Sequence, residues 1–217
     1  MNALIIVKLG GSLAAAPGLR GWLAALAAGA GHVALVPGGG VFADAVRDAQ
    51  RSIGFDDAVA HRLALAAMRQ YGLALSALHP ALTAAASARA IAAALQAGQV
   101  PVWLPEAMAL ADPMVPQTWD VTSDSLALWL ARRCKARAVV FIKQVRPMPL
   151  SAAALAAAGI VDRAFPDFFA RAALPAYIAG SGDELALGAA LRTGHMGGLV
   201  QIFADAAGPM PPRSNTQ

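Results

Sequence analysis

The sequence predicts an α/β fold, a three-layer αβα sandwich around a largely parallel central sheet. Three observations carry that prediction. Short β-branched runs recur along the chain and are apolar at nearly every position, as strands covered on both faces are. They alternate with longer Ala- and Leu-rich stretches of helical period. At three strand ends, small residues stand where a strand must turn sharply into a helix.

In chain order, the strands are expected at residues 4–9, 32–36, 99–104, 138–143, 176–179 and 199–203. Helices are expected at 18–28, 42–53, 57–71, 81–97, 123–134, 151–158 and 183–193. Right-handed crossovers would place the strand C-termini on one edge, where open α/β sheets bind ligands. Residues 106–119, rich in Met and Pro, read either as a flap over a site or as a long crossover. One domain over 1–207 is expected, with an acceptor side over 1–135, a nucleotide side over 136–207 and a frayed tail over 208–217.

The 217 residues are 58% hydrophobic and 14% charged, ample apolar surface for one core and incompatible with global disorder. Alanine makes up about a quarter of the chain, so the mean hydropathy of +0.54 overstates how greasy its surface is. The longest uncharged run, 21–43, is broken by Gly29, Gly31, Pro37 and three consecutive glycines, so no membrane span is expected. The first residues enter a strand with no basic segment before it, and the single cysteine, Cys134, has no internal partner; a cytoplasmic setting is expected. The formal charge of +4 is scattered, which argues against nucleic acid and for an anionic small molecule. His32, His61, His79 and His195 show no metal-ligand spacing, and no metal site is expected.

The strand ends run into Gly10-Gly11-Ser12, Gly38-Gly39-Gly40 and Gly180-Ser181-Gly182. Backbone N–H groups there approach a ligand closely and a following helix start adds partial positive charge, which suits phosphate. Tight turns need glycine for structural reasons alone, so the argument rests on three such loops at one edge. Neither a P-loop nor a Gly-x-Gly-x-x-Gly pattern occurs. Lys8, flanked by Ile6, Val7 and Leu9, needs an anionic partner in an interior strand. A phosphoryl group in transfer is such a partner; a lysine snorkelling out of an edge strand is the bland alternative. In Thr122-Ser123-Asp124-Ser125, Thr122 or Ser123 reads as an N-cap and Asp124 as a dipole complement or a carboxylate aimed at Lys8.

In order and spacing, Val7-Lys8-Leu9-Gly10-Gly11-Ser12-Leu13, Pro37-Gly38-Gly39-Gly40 and Thr122-Ser123-Asp124-Ser125 resemble the amino acid kinase superfamily. Phe42-Ala43, Val46-Arg47, the 61–64 segment with Met68, Trp119 and Phe165-Pro166 are most similar to the small kinases of methanofuran biosynthesis. Those kinases convert an aminomethylfuran phosphate to its diphosphate with ATP and Mg2+.

The resemblance implies Lys8 and Asp124 as catalytic residues, Asp124 organising Lys8. Gly10, Gly11 and Ser12 would hold the transferring phosphoryl group, and Gly38, Gly39 and Gly40 would cradle the acceptor. Arg47, His61, Thr122 and Ser123 would bind the acceptor. Gly180 and Gly182 would offer the nucleotide a helix start, while Lys143 and Arg146, in a loop that departs from the family pattern, either hold the nucleotide phosphates directly or mark an eroded nucleotide site. Separately from the resemblance, the low charge of the Ala-rich helices expected at 81–97 and 151–158 points to a dimer face, and a homodimer or higher homo-oligomer is expected. The chain departs from the superfamily pattern after the fourth predicted strand. Lys143-Gln144-Val145-Arg146-Pro147 stands where Thr-Asp-Val-x-Gly is usual, so that loop must take another path. The rival readings are a binding or regulatory subunit on the same fold and a carboxylate kinase.

Overall fold

The computed structural model describes residues 3–146, 148 and 151–204; Pro147 and the 208–217 tail of the expectations lie outside them. The chain runs β1 (Ile5–Leu9), α1 (Leu19–Ala27), β2 (Val33–Pro37), α2 (Gly40–Ile53), α3 (Asp57–Ala77), β3 (Leu82–Ala85), α4 (Ala88–Gln96) and β4 (Val100–Trp103). It continues through α5 (Glu106–Leu110), α6 (Ser123–Arg133), β5 (Ala138–Ile142), α7 (Ala152–Ala157), α8 (Phe165–Ala172), β6 (Ala176–Ala179), α9 (Glu184–Thr193) and β7 (Val200–Ile202). A short 3-10 turn, Gly11–Leu13, follows β1.

The strands form one sheet in the order β3-β4-β2-β1-β5-β6-β7. All pairs are parallel except β6 with β7, so the expected parallel sheet is present with one antiparallel edge. Among the described residues no helix is long and apolar enough to cross a membrane.

Strand alternation divides the core in two. Ile5, Val7 and Leu9 face one layer with Val33, Leu35, Val140 and Ile142, covered by Trp22 and Leu26 of α1 and Leu187 and Leu191 of α9. Ile6 faces the other with Val36, Val139 and Phe141, covered by Leu126 and Leu130 of α6 and Phe165 of α8. Period two then puts Lys8 on the α6 side, paired in register with Val36 on one flank and Phe141 on the other. A charge at the centre of the sheet is thereby aimed at the first turn of α6.

Two expectations are corrected. Residues 81–97 are not one helix: Leu82–Ala85 pairs in parallel with β4, and Ser87 then caps α4 by accepting from the Ala90 N–H at 3.1 Å. The free edge of β4 outweighs alanine's helix preference, which is only a weak prior. The 106–119 segment contains α5, and α8 was not foreseen. Its signals were present: Pro166 in the first turn, Asp167 beside it, and buried Phe165, Phe168 and Ala172 at helical spacing.

Candidate functional site

The carboxyl ends of β1, β2, β5 and β6 meet on one edge. Gly10 N–H donates to the Ile142 carbonyl at 3.2 Å, Gly38 N–H to Leu9 at 2.9 Å, and Lys143 N–H to Ala179 at 2.9 Å. The two glycine loops lie back to back. A Cβ on Gly38 would stand 2.4 Å from the Gly11 nitrogen, and one on Gly11 would stand 2.3 Å from the Gly40 nitrogen. Glycine is therefore demanded there by the approach of one loop to the other. Gly40 also opens α2 with φ of 53°, the left-handed region that favours glycine.

Below these loops is a buried charge centre. Asp124, in the first turn of α6, receives the Lys8 ammonium at 2.9 Å and the Lys143 ammonium at 2.8 and 2.9 Å, one contact on each oxygen. Lys143 also donates to the Ile160 carbonyl at 2.6 Å. Lys8 and Asp124 are 4% and 5% exposed, so water screens the trio poorly. Burial by itself would raise the Asp124 pKa, but Lys143 and Lys8 overcome it and hold the carboxyl at about 2. Burial pushes the Lys143 ammonium down to about 8, against the pull of Asp124. Two buried ammoniums converge on the Asp124 carboxylate, cations that a phosphoryl group can engage.

A second carboxylate supports the first. Asp162, in the loop between α7 and α8, accepts from Thr122 N–H at 2.9 Å, Thr122 Oγ1 at 2.8 Å and Ser125 N–H at 3.0 Å. Its other oxygen accepts from the Ser125 hydroxyl at 2.5 Å. Thr122 occupies the expected N-cap position, and its hydroxyl donates to Asp162 instead of accepting from the helix. Ser123 is buried in the same turn. Burial, then the charge of Asp124, raises the Asp162 pKa, while the hydrogen bonds from Ser125 and Thr122 oppose the rise.

A small cavity opens beside that turn, lined by Arg47, His61, Met68, Trp119, Thr122 and Leu126 among others. The Arg47 guanidinium lies 4.4 Å from the Trp119 ring centroid and pairs with Asp44 at 3.0 Å. The Trp119 indole N–H donates to Gln50 Oε1 at 2.7 Å. His61 meets the Thr118 carbonyl through Nδ1 at 3.2 Å, and its burial lowers its pKa. Of the four residues expected at the acceptor, Arg47, His61 and Thr122 line this one cavity, and Ser123 does not.

The expected nucleotide residues separate. Lys143 belongs to the Asp124 centre. Arg146 lies against Gly180, where a Cβ would stand 2.7 Å from that of Arg146, and its guanidinium pairs with Asp183 at 3.4 Å. Asp183 also accepts from Gly180 N–H at 2.9 Å, and Ser181 Oγ donates to the Gln144 carbonyl at 2.9 Å. The third loop is internally bonded, and its anion position faces a carboxylate of the chain itself. Gly182 has φ of 93°, and among the described residues no atom lies within 4 Å of its missing Cβ.

Sequence reasoning missed the Lys143–Asp124 contact and Asp162 altogether. The partners of Asp162 lie 37 and 40 residues away in the chain, a separation that no local period reports.

Comparison with known proteins bears on the family and the fold. The chain is 26% identical over 142 residues to the [5-(aminomethyl)furan-3-yl]methyl phosphate kinase of Methanocaldococcus jannaschii. That match spans 64% of this chain and 65% of that kinase, just under two thirds of its length. Uridylate kinase from Archaeoglobus fulgidus superposes with a TM-score of 0.67 at 16% identity, covering 88% of this chain and 96% of that one. UMP kinase from Bacillus anthracis gives 0.66 at 18% identity, covering 94% and 97%. At such identities the solved structures speak for the fold. Residues 3–148, which hold both close-packed glycine loops and the Lys8–Asp124–Lys143 centre, match the amino acid kinase family, and it is to that family that the chain belongs.

Proposed function

We propose that this protein is a phosphotransferase that moves the γ-phosphoryl group of MgATP onto a phosphate-bearing small acceptor, an aminomethylfuran phosphate. The observation that carries this reading is the buried Lys8–Asp124–Lys143 centre, two ammoniums held on one carboxylate, beside a cavity that shares the first turn of α6. The Methanocaldococcus relative, named for an aminomethylfuran phosphate, supports the choice of acceptor.

MgATP, when bound, supplies the phosphoryl group and its leaving diphosphate. Lys8 and Lys143 neutralise the charge carried by the group in flight, where positioning and electrostatics do most of the work. Asp124 holds the two ammoniums in place and, with its pKa held low, takes no proton. An acceptor phosphate oxygen is already a nucleophile and needs no general base. Both carboxylates at the centre are occupied, Asp124 by lysines and Asp162 by α6, so Mg2+ is left to the nucleotide phosphates. Arg47, which lines the cavity, would meet an anionic group of the acceptor. The Arg146–Asp183 pair in the third loop motivates the alternative of a non-catalytic binding subunit.

Phosphoryl transfer from MgATP to aminomethylfuran phosphate, with UMP and amino acids as competing acceptors, tests the proposal. Lys8→Ala is expected to lower kcat by about 10²–10³-fold, the usual cost of one transition-state donor. Arg47→Ala is expected to raise the acceptor KM while leaving the MgATP KM alone. Unchanged transfer in Lys8→Ala refutes the catalytic assignment, and folded wild-type protein that binds no MgATP favours the binding subunit.

A further inference from the structure

His61 sits on α3, is 3% exposed, and lines the cavity beside the first turn of α6. Its Nδ1 faces the Thr118 carbonyl, which can only accept, so that nitrogen carries the ring proton. In the neutral ring Nε2 then holds a bare lone pair. That atom is buried and has no hydrogen-bond partner among the described residues. Buried polar atoms are nearly always satisfied, so an orphan of this kind calls for an explanation.

The cavity's own donors do not supply one. The Trp119 indole N–H is held by Gln50 and the Thr122 hydroxyl by Asp162, while Arg47 stacks on Trp119 and pairs with Asp44. Leu65, Met68 and Leu126 complete an apolar lining. The space is about 40 Å³, room for a compact group of a few heavy atoms.

We infer that His61 Nε2 accepts a hydrogen bond from an N–H or O–H donor on the body of the acceptor, making His61 a specificity-determining residue of this site. The inference rests on the phosphotransferase reading and deepens it. The acceptor class it names carries an amine or hydroxyl on a small end group that enters this space, with the rest of its body and its phosphate outside. On this inference His61 meets the donor end of the acceptor and Arg47 its anionic end, because a phosphate dianion presents lone pairs and a neutral Nε2 would face them with another.

The test compares aminomethylfuran phosphate with the methylfuran phosphate in which hydrogen replaces the amine, using wild type, His61→Phe and His61→Gln. The wild type is expected to prefer the amine by about 10–100-fold in kcat/KM, the worth of one hydrogen bond from a charged donor. His61→Phe, which fills the same space without an acceptor, should lose most of that preference while its MgATP KM and Tm hold. His61→Gln, which restores a side-chain acceptor, should recover part of it. A preference that survives in His61→Phe, or is absent from the wild type, overturns the inference.

If the wild type transfers to neither compound, the phosphotransferase reading fails and binding decides the inference separately. A 15N shift of the His61 Nε2 resonance on adding the amine compound, absent with the methyl analogue, upholds it. No shift with either overturns it.

Discussion

Replacing Asp124 by Asn removes the one counter-charge shared by two buried ammoniums, and the size and pH dependence of the loss follow from the geometry. At 2.8–2.9 Å and an effective dielectric near 20, each lysine–carboxylate attraction is worth about 6 kcal/mol before desolvation is counted. The variant does not lose the whole of it, because Lys143, already lowered to about 8, sheds its proton and stays buried neutral. Breaking a buried pair from one side leaves a net cost of about 3–5 kcal/mol at pH 7.

For a chain of this size that corresponds to a fall in Tm of about 6–20 °C. The sign with pH comes from Lys143. Its folded-state pKa lies below the unfolded value, so the charged form weighs against folding at neutral pH, and the penalty lifts as pH rises from about 8 towards 10.5. In the wild type at pH 10 the Lys143–Asp124 charge pair has largely gone, so Asp124→Asn then costs only the Lys8 contact. At the acid end, the stability that Asp124 contributes is present above the ordinary carboxylate value and is lost as pH falls through about 2. Urea unfolding of both proteins at pH 7, 8, 9 and 10, followed by circular dichroism, measures this directly. A difference below about 1 kcal/mol at pH 7, or one that stays level from pH 7 to 10, refutes the reasoning.

Two further predictions concern the scaffold around that centre. Asp162→Ala strips the acceptor from two backbone N–H groups and two hydroxyls at the start of α6, and is expected to cost about 1–3 kcal/mol in urea unfolding. Because burial and Asp124 raise the pKa of Asp162, protonation favours the folded wild type, and the penalty grows on acidification towards the ordinary carboxylate range. Gly38→Ala drives a Cβ onto the Gly11 backbone and should cost about 1–3 kcal/mol, with transfer activity falling alongside. A Gly38→Ala protein as stable as the wild type would mean that the two loops are not locked together.

Much of the fold was legible because strand runs buried on both faces carry an apolar signature that needs no partner to be read. Residues 5–9 and 138–142 announce themselves as central strands by having no polar face apart from Lys8. The edge strand Leu82–Ala85 was hidden, since an alanine-rich run fits helix and strand alike until a neighbour offers hydrogen bonds. At the site, Lys8 was legible as a charge that an interior strand would not keep without a partner, and Asp124 as an acid at a helix start. Lys143 was read toward the nucleotide because its position after β5 says nothing about which way the side chain turns.

The sequence by itself determined the layered α/β architecture, the glycine turns at the strand ends and the need for an anion near Lys8. Those follow from local period and from the cost of burying an unpaired charge. Only the tertiary structure decided that one carboxylate serves two lysines, that Asp162 holds its helix from 37 residues away, and that His61 keeps a lone pair with no donor among the described residues. Each of those depends on which side chains meet across the sheet edge. Strand order and packing set such meetings, and they leave no period in the chain.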